Sequence, residues 1–217
     1  TYRRGIDWLD ATIYERDLDD PVCGLQGLGF DPCNPAGADG EFDVLQTQLL
    51  FIQRLAGIND RAQLILRSTG QFSQDALFSQ EKLAIGGVNT VRGYPENTLV
   101  RDNGVTATVE VQLPVFGYQA EPNPKNLVVA PFSDYGISWD EEDTSPGSVD
   151  RDSSKKRWIA SLGFGLLWNP LEGLNAQVYW GADIADNFNG DDPRDLRDDK
   201  DLQDDGIHFS LSYVARF

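Results

Sequence analysis

Apolar and polar residues alternate along most of this chain, and a period of two is typical of β-strands. The last segment shows the alternation most clearly. Its apolar face consists of Ile207, Phe209, Leu211, Tyr213, Ala215 and Phe217. Its polar face consists of His208, Ser210, Ser212 and Arg216. The whole pattern predicts eight strands, near residues 3–15, 43–56, 61–73, 104–116, 127–139, 156–168, 173–185 and 206–217.

One-sided strands suit either a water-soluble sheet with the apolar face inward or a membrane barrel with that face outward. Connection lengths favour the barrel, because long and short connections alternate along the chain and therefore segregate to opposite ends of the sheet. The long connections are 16–42, 74–103, 140–155 and 186–205; the others are 57–60, 117–126 and 169–172. We therefore predict an all-β fold, an antiparallel transmembrane β-barrel in which residues 1–217 are one domain.

Charge and motif content exclude several classes of function. The net charge of −17, from 35 acidic and 18 basic residues, disfavours a nucleic-acid partner. Enzyme signatures such as G-x-S-x-G, HExxH or a P-loop are absent from the sequence, and the single histidine, His208, lies on a strand. We expect no catalytic residue, no metal site and no cofactor.

Cys23 and Cys33 lie ten residues apart in an acidic stretch rich in Gly and Pro. Their spacing does not fit a metal site, since no second cysteine pair or nearby histidine accompanies them. In an exported protein they could form a disulfide, and the alternative is two unpaired thiols in a loop. The chain contains no Met and opens on Thr1-Tyr2-Arg3-Arg4, so we expect a mature or truncated piece.

Two motifs could meet inside such a barrel. The connection 74–103 contains a Gly86-Gly87 pair and then Val91-Arg92-Gly93-Tyr94, which places one cation in a structured loop. A later strand contains Phe132-Ser133-Asp134-Tyr135-Gly136, in which Asp134 and Gly136 face inward. Guanidinium and carboxylate groups can pair bidentately, so Arg92 is a candidate partner of Asp134. Alternatively, each charge faces water separately.

These two motifs resemble the VRGY loop and the F-x-D-x-G strand of the two-partner secretion transporters of the haemolysin and haemagglutinin type. The resemblance spans roughly residues 75–217, whereas residues 1–74 match only as generic barrel strands. In that family the VRGY loop folds back into a 16-stranded barrel, and its Arg meets the Asp of the strand motif. The resemblance implies that 74–103 is a lumen-folded transport loop with Arg92 paired to Asp134. It also implies that the chain is the C-terminal half of a barrel whose POTRA domains lie upstream.

The implied function is conduction of an unfolded exoprotein across the bacterial outer membrane without ATP. Phe217, with Tyr213, resembles the C-terminal signal recognised by the barrel assembly machinery, which would put the C-terminus at the periplasmic rim and the long loops outside. Outer-membrane lipids and lipopolysaccharide are then partners too. Two alternatives remain: an assembly or insertion factor of the same superfamily, and the membrane-anchoring barrel of a surface enzyme or adhesin.

Overall fold

A computed structural model describes residues 1–4, 42–58, 60–116, 126–141, 156–188, 202 and 205–214. Strands account for most of these residues. They are β1 (Tyr2–Arg4), β2 (Asp43–Arg54), β3 (Gln63–Ser73), β4 (Leu83–Ile85), β5 (Leu99–Arg101), β6 (Asn103–Phe116), β7 (Asn126–Trp139), β8 (Arg157–Leu171), β9 (Leu174–Asp186) and β10 (Ile207–Tyr213).

Eight of these strands form one antiparallel sheet in the order β1-β2-β3-β6-β7-β8-β9-β10. Each strand therefore pairs with the next one along the chain, except that the β4–β5 hairpin is inserted between β3 and β6. The prediction of an all-β antiparallel fold is confirmed. Among the residues that the structure describes, β1 and β10 are the two edges and the sheet does not close on itself.

The predicted strands from residue 43 onward agree with the observed ones, with ends that differ by a few residues. Two predicted strands are only partly covered. Most of the strand predicted at 3–15 and the end of the strand predicted at 206–217 lie outside the described residues. The β4–β5 hairpin was not predicted. It lies in the middle of what the pattern presented as a single long connection.

The two faces of the sheet are the reverse of those in a water-soluble protein. On β8 the apolar side chains of Leu162, Phe164 and Leu166 are exposed, whereas Ser161 on the same strand is fully buried. On β6 the polar face is buried in the same way, down to Glu110. A soluble sheet would bury its apolar row. The exposed apolar face is therefore the pattern of a membrane barrel, and it does not fit a water-soluble sheet.

The polar face is buried because the connection between β3 and β6 lies across it. Its contacts with the sheet form a small apolar core. This core consists of Ile85, Val91, Tyr94, Leu99, Ile159 and Phe188, with Leu83 packed at its margin. The described part of the chain contains no helix long and apolar enough to cross a membrane.

Candidate functional site

The Arg92 side chain is held on the polar face by Asp134 of β7. Nε donates to Asp134 Oδ2 at 2.8 Å and Nη2 donates to Oδ1 at 2.9 Å, which is the bidentate geometry of a guanidinium–carboxylate pair. The main-chain N–H of Arg92 also donates to Oδ2, at 3.0 Å. The Arg92 side chain is 5% exposed and that of Asp134 is 0% exposed. The structure thus brings together the two charged residues that the motifs single out.

Glu110 of β6 is a second carboxylate on the same guanidinium, and sequence reasoning did not assign it. Arg92 Nη1 donates to Glu110 Oε2 at 2.5 Å, while Gln112 donates to the other carboxylate oxygen at 2.8 Å. One cation therefore faces two buried carboxylates. A signal existed, because Glu110 is the one charged residue in the inward row of β6, beside the strand that carries Asp134.

Two aromatic rings complete this binding site. The Arg92 Cζ lies over the Phe132 ring, 3.5 Å from its centroid, and 4.9 Å from the centroid of Tyr179 on β9. A planar guanidinium stacks well on such faces. Four residues of the sheet therefore surround the guanidinium, and we call them the Arg92 seat: Glu110, Phe132, Asp134 and Tyr179.

We call residues 86–98 the tip of the connection. The tip approaches the sheet closely at two glycines of the strands, Gly181 and Gly136. A Cβ added at Gly181 of β9 would lie 2.9 Å from the Arg92 carbonyl carbon and from the Gly93 amide nitrogen. Gly93 itself has a φ of +96°, which side-chain-bearing residues rarely adopt. Gly136, the last residue of the strand motif, serves a similar end: a Cβ there would lie 3.0 Å from Val91 Cγ2 in the tip. The motif glycines therefore let the tip contact the sheet.

Tyr94 and the Gly86-Gly87 pair shape the tip itself. The fully buried Tyr94 donates its hydroxyl hydrogen to the Ala185 carbonyl at 3.1 Å, and the Ala160 carbonyl lies 3.5 Å away. Gly86 and Gly87 have φ values of +119° and +90°, and the Gly87 N–H donates to the Tyr94 carbonyl at 3.0 Å. The glycine pair thus starts a closed turn that ends at Tyr94.

A separate group of charges holds the base of the hairpin at the end of β7. Lys82 Nζ lies 3.0 Å from Asp102 and 3.1 Å from Asp140, and Arg101 lies 3.1 Å from the other oxygen of Asp140. Burial opposes the charge on Lys82, but the two carboxylates outweigh it and hold the pKa of its ammonium above the ordinary value. We call Lys82, Arg101, Asp102 and Asp140 the rim cluster. The connection is therefore attached at its base as well as at its tip.

The remaining predicted residues are not brought to this site. Tyr213 is exposed on the apolar face of β10. Phe217, Cys23 and Cys33 lie outside the described residues, so the assembly signal and the disulfide stay predictions. In the part of the chain that the structure describes, no group of three or more His, Cys, Asp or Glu side chains could hold a metal ion.

The family model of the haemolysin secretion/activation protein ShlB/FhaC/HecB matches residues 1–166, which is 166 of the 217 residues. The chain belongs to the ShlB/FhaC/HecB family. The match includes the first strands, which the motif resemblance treated as generic, and it ends before β9. ShlB/FhaC/HecB proteins are outer-membrane transporters of two-partner secretion, each with a secreted partner protein. A search of curated proteins found no match.

Proposed function

We propose that this chain forms part of the wall of an outer-membrane channel, through which an unfolded partner protein is exported without ATP. The observation that carries the proposal is the seating of Arg92 across β6, β7 and β9 by ionic and aromatic contacts. A segment placed against the polar face of a channel wall obstructs the lumen. It has to leave before an extended polypeptide can pass.

The chemistry of the tip contacts favours a segment that docks and leaves. Arg92 is held by charge-assisted hydrogen bonds, whose partners can be rehydrated when water enters. With the tip displaced, the inward rows of β6 to β9 would line a polar path; they include Thr106, Thr108 and Gln177. Folding of the partner outside the cell would then give the movement its direction.

The exposed apolar face would contact outer-membrane lipid. The long connections follow β3, β7 and β9 at one end of the sheet, and the short turns after β2 and β8 lie at the other. We place the long, acidic connections outside, next to lipopolysaccharide, and the C-terminus at the periplasmic rim, where the barrel assembly machinery would recognise it. The edge strands β1 and β10 need partners within a membrane, so further strands would complete the barrel.

The proposal is tested by separating export from assembly. In cells that make the full-length transporter, Arg92→Ala should alter the amount of partner protein in the medium per heat-modifiable barrel in the outer membrane, because the tip no longer docks on Asp134 and Glu110. Deletion of Phe217 should instead lower the amount of assembled barrel. Normal secretion per barrel by the Arg92→Ala transporter would show that the tip is only a structural plug.

A further inference from the structure

The Arg92 seat recognises more than positive charge. Asp134 offers both carboxylate oxygens to one edge of a guanidinium, and Glu110 accepts from a second edge. The Phe132 ring covers the flat face, with its centroid 3.5 Å from Cζ. These contacts match three N–H donors and one flat face of the guanidinium, whereas an ammonium group has neither the fork nor the flat face. The seat is therefore selective for arginine over lysine.

Departure of the tip leaves this selective seat without its cation. Asp134 and Glu110 would then face the same small space as two carboxylates. Like charges at close range are costly, and the cost falls when a cation enters. The wall strands that carry the seat are paired to each other along their length, so the four side chains stay together when the tip moves.

We propose that the seat is a guanidinium receptor, which an arginine side chain of the exported polypeptide occupies after the tip has left. The inference rests on the proposed function, because the exported chain is what brings an arginine into the lumen. Substrate and tip would compete for one site. An occupied seat would keep the tip from docking again while polypeptide is still in the channel.

The test uses full-length Arg92→Ala transporter in planar lipid bilayers, where loss of current reports a peptide that binds in the lumen. The probes are an extended Gly-Ser peptide with one central arginine and the same peptide with lysine. The arginine peptide should block the current at a concentration about tenfold lower, which is about 1.4 kcal/mol. The unaltered transporter should discriminate less, because Arg92 fills the seat.

A matched second variant assigns the preference to the seat. In the Arg92→Ala transporter, the additional substitution Asp134→Asn should abolish the preference for the arginine peptide, because asparagine has the shape of aspartate without its charge. If that double variant inserts no channels, Arg92→Ala with Glu110→Gln takes its place and should reduce the preference. Equal block by both peptides, or a preference unchanged by these substitutions, would overturn the proposal. Neither outcome depends on secretion in cells, so failure of the receptor and failure of the export function are distinguishable.

Discussion

Replacing Arg92 with alanine should release the tip from the wall, and the structure indicates by how much. The substitution removes the cation from between Asp134 and Glu110, whose side chains are 0% and 9% exposed. Breaking a buried ion pair by removing one partner costs about 3–5 kcal/mol, and lumen water reduces this figure. Since each 1.4 kcal/mol is a factor of ten, the released population should rise by roughly two to three powers of ten.

Two companion variants divide this effect into its parts. Arg92→Lys keeps the charge but loses the fork, so its cost should be about 1.5–3 kcal/mol, the value of a hydrogen bond to a charged group. Arg92→Ala combined with Asp134→Asn should release the tip less than Arg92→Ala alone, because one uncompensated carboxylate is gone. If charge alone held the tip, the Arg92→Lys transporter would release the tip no more often than the transporter that retains Arg92.

Thiol labelling at position 91 measures the released population. Val91 is fully buried, so a Val91→Cys reporter reacts with a maleimide only when the tip opens. Cys23 and Cys33 are replaced by serine in every variant. The labelling rate is compared among the reporter transporter that retains Arg92, its Arg92→Lys variant and its Arg92→Ala variant. A rise of less than about tenfold for Arg92→Ala, which corresponds to under about 1.4 kcal/mol, would show that the contacts of Arg92 with Asp134 and Glu110 do not hold the tip in place.

Three further predictions concern steric fit, hydrogen bonding and oxidation. Gly181→Ala should release the tip with every charge in place, because its Cβ would meet tip backbone at 2.9 Å, while Gly57→Ala, with nothing within 4 Å, should match the parent in labelling rate. Tyr94→Phe removes a hydroxyl and should raise labelling between about two- and tenfold; an unchanged rate would deny the hydroxyl a role in docking. Cys23 and Cys33 should resist thiol reagents in envelope-purified protein until it is reduced, and full labelling without reduction would exclude the disulfide.

The strands and the Arg92–Asp134 pair could be predicted because each leaves a strong signal in the sequence. A period of two over 11 to 15 residues marks a strand even where one face is polar. From the residues alone the pair was one of two alternatives, and the resemblance of its two motifs to the VRGY loop and the F-x-D-x-G strand implied it. Both signals are local, and the antiparallel order of the strands then fixes which rows can meet.

Other features depend on tertiary contacts that local patterns do not encode. β4 and β5 have three residues each, too few to show a period, and their pairing is secured by the rim cluster. Glu110 was not assigned to Arg92, because a charged residue in the polar row of a strand does not by itself indicate which cation it meets. The close approach of Gly181 to the tip was missed because a glycine in a strand has many structural uses.

Whether the tip must leave the wall for export is the central question, and a reversible disulfide answers it most directly. A Cβ at Gly136 would lie 3.0 Å from Val91 Cγ2, the position that the sulfur of a Val91→Cys side chain can take, so the two residues are near enough for a disulfide once the Ile85 side chain, 2.6 Å from that Cβ, shifts. Val91→Cys with Gly136→Cys would tie the tip to β7. Ala84→Cys with Val100→Cys, a directly paired position of β4 and β5, would cross-link only the hairpin base.

The measurement is partner protein exported per assembled barrel, before and after reduction, with Cys23 and Cys33 replaced by serine in both transporters. We predict that the oxidised tip-to-wall transporter does not export, that reduction restores export, and that the oxidised hairpin-base transporter exports normally. Export by the oxidised tip-to-wall transporter at the rate of the hairpin-base control would show that the tip need not leave the wall.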